Sequence, residues 1–248
     1  MKKIAFCFAT YDNLSHPKIW EDFFAQADPK QYVILTHAKH PEAVNQDFIR
    51  NHLIPEYHET AWGSIKVTRL WQRMFEIAFQ DPLVYKAINI TQSHIPINNF
   101  AHVYESVTST GKGLLDWEPP TPGGHHANRR EALKDKNFIP SEEFVFHGAE
   151  GICFSRDMLN FFLQHDNTHL FEDMFATDEH YIGSSLVHYK CENLVERRSI
   201  NAWLTWGGGN HGGLKSISEE KIRELRGEGK LFAKKLAPGA QVPAMCIQ

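Results

Sequence analysis

The strongest constraint on the fold lies at the start of the chain. Two short uninterrupted apolar runs, residues 4–8 and 32–36, flank a segment that carries Ile19, Phe23 and Phe24 among polar neighbours. Apolar runs without polar alternation suit strands buried on both faces, the condition of a parallel sheet. The intervening segment has helical spacing, so the opening is a β-α-β unit whose crossover is right-handed. Residues 64–80 form the clearest helix: Val67, Leu70, Trp71, Met74, Phe75 and Ala78 share one face, with Lys66, Arg69, Arg73 and Glu76 outside it. Asp81-Pro82 ends that helix, and residues 85–90 read as the next buried strand.

Beyond this point the signal is uneven. From residue 108 to 140 the periodicity dissolves into Trp117-Glu118-Pro119-Pro120 and Gly123-Gly124, followed by Arg129-Arg130, Lys134 and Lys136. A long irregular stretch of this kind inside a compact domain usually serves function. Order returns at Phe144 and residues 152–154, as two short strands or one kinked strand. Helices follow over residues 158–164 and 178–187. Residues 200–206 read as the last strand, running into the glycine-rich segment 207–213. Ser216 and Glu219 make a capping box for a helix that reaches Arg226 and ends at Gly227. With no repeat, low-complexity tract or linker, residues 1–248 are expected to form a single α/β domain.

Composition narrows the function classes. A net charge of −4 supplies no counterion-release drive toward nucleic acid, so a nucleic-acid partner is disfavoured. The four cysteines, Cys7, Cys153, Cys191 and Cys246, share no close spacing, as expected of reduced thiols in a cytoplasmic protein. The apolar run after Lys2-Lys3 is cut off by Thr10, Tyr11 and Asp12 before it reaches signal-peptide length. No segment approaches the roughly 20 apolar residues of a membrane span, so no membrane anchor is expected.

Three constellations could carry chemistry. Segment 207–213 follows a strand and precedes a helix, the setting of a phosphate-binding loop. It misses the Walker pattern, because Leu214 holds the lysine position and Lys215 comes one residue late. Asp178 and Glu179 stand at a helix start, where a dipole favours carboxylates; Glu179 there suits a general base at a cleft rim. Among the fifteen histidines, His125, His126, His180, His188 and His211 are candidate metal ligands. No ligand spacing such as H-E-x-x-H joins them, so no metal and no cofactor are expected. There is neither a G-x-S-x-G elbow nor a D-x-D motif in the chain.

Taken in order, several segments resemble the core-2/I-branching β-1,6-N-acetylglucosaminyltransferase family. They are residues 4–17, Trp62-Gly63-Ser64-Ile65, residues 85–90 followed by Ser93, Ile95-Pro96 and Phe100, His147-Gly148-Ala149-Glu150 through Phe154-Ser155-Arg156, Asp178-Glu179-His180-Tyr181, and Leu231-Phe232-Ala233-Lys234-Lys235. The resemblance implies a GT-A-like, Rossmann-type nucleotide-sugar-binding fold. It also implies inverting transfer from a UDP-sugar to an acceptor hydroxyl on a glycan or other molecule, without a metal. UDP-N-acetylglucosamine is the first donor it points to, with UDP-xylose and UDP-glucuronic acid as alternatives. By the same match Glu179 takes the base position and Lys235 contacts the donor diphosphate; Thr10, Tyr11 and His37 are also expected on the donor, and Lys234 and Lys230 lie near Lys235 as further positive charge. Thr91-Gln92-Ser93 stand where many GT-A enzymes carry D-x-D. An arginine against the diphosphate is also implied, with Arg197 or Arg198 as candidates. Glu118, His126 and Arg129, beside Trp117, match an acceptor-contacting series. Two other classes compete: a non-catalytic sugar- or nucleotide-binding protein on the same scaffold, and a phosphotransferase using segment 207–213. Retention of Glu179 with Lys235 favours the transferase, because binding alone needs no base.

Overall fold

The computed structural model describes residues 1–119, 127–133, 138–204 and 213–247. In chain order its first half runs β1 (Lys3–Thr10), α1 (Pro17–Ala25), β2 (Tyr32–Ala38), α2 (Asp47–Arg50), α3 (Ile65–Ala78), β3 (Val84–Thr91), β4 (Ile95–Pro96), α4 (Phe100–Thr108), β5 (Gly113–Leu114) and α5 (Ala127–Arg130). The second half runs β6 (Cys153–Ser155), α6 (Arg156–Gln164), α7 (Tyr181–His188), β7 (Val195–Glu196), β8 (Asn201–Trp203), β9 (Leu214–Ser216), α8 (Glu219–Gly227), β10 (Phe232–Lys234) and β11 (Leu236–Gln241).

β1 lies between β2 and β3 and is parallel to both, in a six-stranded sheet of order β2-β1-β3-β6-β5-β7. β6 is antiparallel to β3. Both faces of β1 are covered, which explains its unbroken apolar run. Its side chains divide by size: Ile4, Phe6 and Phe8 pack with Trp20, Phe23 and Phe24 of α1 and Phe100 of α4. The smaller Ala5 and Cys7 face Leu70, Trp71, Met74 and Phe75 of α3 on the other side. There the Phe75 ring stacks on Phe154 of β6 at 4.4 Å, joining helix to sheet. This mixed α/β architecture with a parallel-rich central sheet is of the GT-A-like class.

The β-α-β opening, the helix after Ser64 and the third strand stand where the periodicity places them. Five expectations about the elements are corrected. Phe144 belongs to no strand and follows a 3-10 turn, Ser141–Glu143; Phe146 makes an isolated bridge to Glu118, and the strand is Cys153–Ser155, paired with β3 and β5. The helix expected over residues 178–187 is two pieces, a 3-10 turn at Thr177–Glu179 and then α7. The cap of α8 is Ser218, whose side chain accepts from the Lys221 backbone N–H; Ser216 ends β9 instead. Gly227 stays within α8, and Gly229 takes the positive φ of +75° beyond it.

The strand at Asn201–Trp203 is also not the last. β8 pairs in parallel with β10, which pairs antiparallel with β4 in a second, three-stranded sheet. β11 then lies parallel to β9. Ile95, Ile97, Ala202, Ile222, Leu225, Ala233 and Leu236 form the core beneath this second sheet. All four cysteines are free thiols, and burial pushes Cys153 up to about 12. Among the described residues no helix is long and apolar enough to cross a membrane.

Candidate active site

A cleft of about 660 Å³ opens at the carboxyl ends of β1, β2 and β3, where Thr10, His37 and Thr91 line it. The chain leaves β1 toward β2 on one side and reaches β3 on the other, so the cleft sits at a topological switch point, the usual ligand position in such sheets. Hydrogen bonds tie these ends together. The Tyr11 N–H donates to Gln92 Oε1 at 2.6 Å, and the Lys39 N–H donates to Thr10 O at 2.9 Å.

Thr10, Tyr11, His37 and Lys235, named from the sequence for the donor, all line this cleft. The Thr10 hydroxyl donates to the carbonyls of Asp12 (3.1 Å) and His37 (3.3 Å), so its part is to shape the loop. His37 is buried, and its Nε2 accepts the His58 backbone N–H at 3.3 Å. Burial, and then the neighbouring His58 charge, hold that imidazole below its ordinary value, in keeping with an acceptor nitrogen. Tyr11 is exposed, with its ring stacked near His40 and the Lys39 ammonium 5.3 Å from its centroid. Lys235 is half-buried between β10 and β11. The next residue, Leu236, donates its N–H to Ser93 O at 3.2 Å, which brings this late segment against the end of β3.

Glu179 reaches the same cleft from the segment before α7. The 3-10 turn that carries it is preceded by Ala176 in the left-handed region, φ 54°. Because the turn stops at His180, Glu179 precedes α7 instead of standing in its first turn, and the charge beside it is an arginine. Arg129 Nη1 makes an ion pair with Glu179 Oε2 and also lies 3.2 Å from His180 Nε2. His180 itself is buried, stacked on Phe144 at 4.5 Å, with Nδ1 2.8 Å from the Val145 carbonyl. His188 lies apart, paired with Glu143 at 2.7 Å. These two histidines are therefore packing and pairing groups. Among the described residues no group of three His, Cys, Asp or Glu is placed to share a metal ion.

Other expected members lie elsewhere. Glu118 is exposed and does not line the cleft; its backbone bridges Phe146, N to O 2.7 Å. Trp117 is half-buried under the Arg197 guanidinium, 3.8 Å from its centroid, and Arg197 also pairs with Asp116. Arg198 donates to Ser106 O at 2.9 Å. Neither arginine lines the cleft. Lys230 reaches Ser199 O at 3.2 Å, and Lys234 is wholly buried, so neither stands with Lys235 in the cleft. His125, His126 and His211 fall outside the described residues, as does segment 207–213 apart from Gly213.

Sequence reasoning missed that Lys234, wholly buried, is grouped with Glu150 and Asp178, which are half-buried and line the cleft. Lys234 Nζ pairs with Glu150 Oε2 and lies 3.5 Å from the Trp203 ring centroid. Beside them Asp178 Oδ1 is buried with no hydrogen-bond partner among the described residues. Desolvation raises the Asp178 carboxyl to about 7, with Glu150 and Glu179 adding to the rise. Burial lowers Lys234 against the opposing pull of Glu150. No local pattern marks Glu150; only the fold brings it to Lys234. Lys39 was also missed, and among the described residues the cations lining the cleft are Lys39, Arg129 and Lys235.

A parallel-rich GT-A-like sheet with an open cleft at its strand ends defines the class. The family model described as Core-2/I-Branching enzyme matches residues 4–226, and the chain belongs to that family. A relative from Oryza sativa subsp. japonica, named Glycosyltransferase BC10, is 21% identical over 253 residues, covering 91% of this chain. The match spans 60% of that relative's own length.

Proposed function

We propose that the protein is an inverting glycosyltransferase that moves a sugar from a UDP-sugar to an acceptor hydroxyl without a catalytic metal. One observation carries the reading: a single cleft at the parallel strand ends is lined by both Glu179 and Lys235, a carboxylate and a cation from distant parts of the chain. Family membership supports the reaction class. UDP-N-acetylglucosamine is the first donor to test, then UDP-xylose and UDP-glucuronic acid.

In this mechanism the acceptor hydroxyl gives its proton to Glu179 as its oxygen bonds to the anomeric carbon. The bond from that carbon to the diphosphate breaks on the opposite face, and UDP leaves with the electron pair. Arg129 engages Oε2 of Glu179, so proton abstraction falls to Oε1. Lys235 offsets charge on the departing diphosphate, worth most where water is excluded. Thr91, Gln92 and Ser93 at the end of β3 offer no carboxylate to a hard cation, which leaves that task to side chains.

The test is Glu179→Gln, which keeps size and hydrogen-bonding reach but removes the base. Turnover should fall by about two to four orders of magnitude. UDP affinity, read by calorimetry, and the thermal midpoint should stay near wild type. Turnover close to wild type in that variant would remove Glu179 from the mechanism, whereas no turnover of any UDP-sugar by wild type would make a sugar-binding protein without catalysis the better account.

A further inference from the structure

Two large aromatics stand in the open on the Glu179 side of the cleft. Trp62 is 68% exposed and Phe175 48% exposed, and both line it. Most of the other aromatic rings are packed into the two cores, which makes this pair informative.

The pair is built, not incidental. The rings meet edge to face, centroids 5.1 Å apart at 68°. The Ala176 N–H donates to Gly63 O at 2.7 Å, locking the loop after Trp62 to the loop after Phe175. Gly63 has φ +71°, and a Cβ there would lie 2.5 Å from Phe175 Cε2, so only glycine permits this approach. The same Ala176 then accepts the Glu179 N–H at 3.0 Å through its carbonyl. The Arg129 guanidinium, which pairs with Glu179, lies 5.5 Å from the Phe175 centroid. Aromatic pair, arginine and carboxylate therefore form one connected wall.

We infer that Trp62 and Phe175 form an acceptor subsite that stacks against one face of a pyranose ring. A pyranose presents on such a face several C–H groups made positive by adjacent oxygens, which suit the negative face of an aromatic ring. The hydroxyl groups around the ring edge stay available to water and to Arg129. The occupant is the acceptor, not the donor, because of position. The nucleotide belongs at the strand ends with Tyr11 and Lys235, whereas an inverting attack brings the acceptor in beside the base. The subsite makes the acceptor a glycan or glycoside, in preference to a peptide hydroxyl. This inference rests on the transferase reading for its direction, but its binding chemistry is measured separately.

The experiment is saturation-transfer NMR in the presence of UDP. The probes are methyl β-D-galactopyranoside and methyl N-acetyl-β-D-glucosaminide, with a serine-containing peptide as the non-sugar hydroxyl. Wild type should saturate the C–H groups of one pyranoside face most strongly. Trp62→Ala should weaken pyranoside affinity about tenfold. Trp62→Phe should stay within about threefold of wild type, which separates stacking from folding. UDP affinity should be the same in all three proteins. Unchanged pyranoside binding in Trp62→Ala overturns the inference, as does wild type binding the peptide and no pyranoside. Loss of UDP affinity in Trp62→Ala overturns it too, because the ring would then serve the uracil. If pyranosides bind through Trp62 but no UDP-sugar is turned over, the aromatic subsite stands and the transferase reading falls.

Discussion

Replacing Asp178 by Asn removes a titration while keeping the shape of the protonated carboxyl. Asp178 Oδ1 is buried without a hydrogen-bond partner among the described residues, beside Glu150 and Glu179 and not far from Lys234. Desolvation is the largest cause of its rise from 3.8 to about 7, followed by those two carboxylates. The folded protein thus keeps a proton that the unfolded chain has already released across the window from about 4 to about 7. The native state binds more protons there, so its stability falls as pH rises. Each pH unit is worth at most about 1.4 kcal/mol for one group, and the whole window on the order of 4 kcal/mol. The assay is urea denaturation of wild type and Asp178→Asn at several pH values between 5 and 8. Groups common to both proteins cancel in the difference. The advantage of the Asn variant should grow as pH rises toward 7 and level off above it. A difference that stays flat through this range would mean that the Asp178 carboxylate is accommodated as a charge in the folded state.

Two further outcomes follow from the same charges. Lys235→Ala should weaken UDP binding by about tenfold to a hundredfold, the usual worth of a charge-assisted hydrogen bond, while wild-type turnover survives excess EDTA; abolition by EDTA with rescue by manganese would refute the metal-free mechanism. Glu150→Gln strands the buried Lys234 ammonium and should cost about 3–5 kcal/mol in denaturant unfolding, partly recovered by adding Lys234→Met; a loss below about 1 kcal/mol would show that the ion pair contributes little.

What was legible in the sequence was what is encoded locally. The runs in β1, β2 and β3 are apolar because helices cover both faces, and α3 shows its buried stripe at helical spacing. That was enough to place the three strands; Thr10 and His37 were named beside the family resemblance, and the cleft at the strand ends emerges only from the fold. The later strands carry no such signal. Phe232-Ala233-Lys234 looks like a solvated lysine tail, yet β10 is held between β8 and β4 by pairings that the local pattern does not reveal. Its lysine is buried only because Glu150, remote in sequence, meets it there. Likewise the start at Asp178-Glu179 looks helical by its acidic first turn, but tertiary contacts place a separate 3-10 turn before α7. Arg129 could be named from its resemblance to an acceptor-side residue. That it grips the Glu179 carboxylate could not, since fifty residues separate the two.

The same comparison changes which cations are available to the proposed diphosphate. Grouping Lys230, Lys234 and Lys235 by sequence makes one cluster, but the structure spends Lys234 on Glu150 and Lys230 on a backbone carbonyl. Of the lysines and arginines that line the cleft among the described residues, Arg129 is engaged by the carboxylate assigned as base. Lys39 and Lys235 make no ion pair with a described carboxylate, and they stand on the strand-end side with Tyr11, Gln92 and Ser93. An anion entering at the strand ends therefore meets positive charge that no internal partner must surrender, whereas an anion at the Glu179 wall would compete for Arg129 and approach Asp178. Under the proposed reaction, this asymmetry would place the diphosphate toward Lys235 and the acceptor hydroxyl toward Glu179.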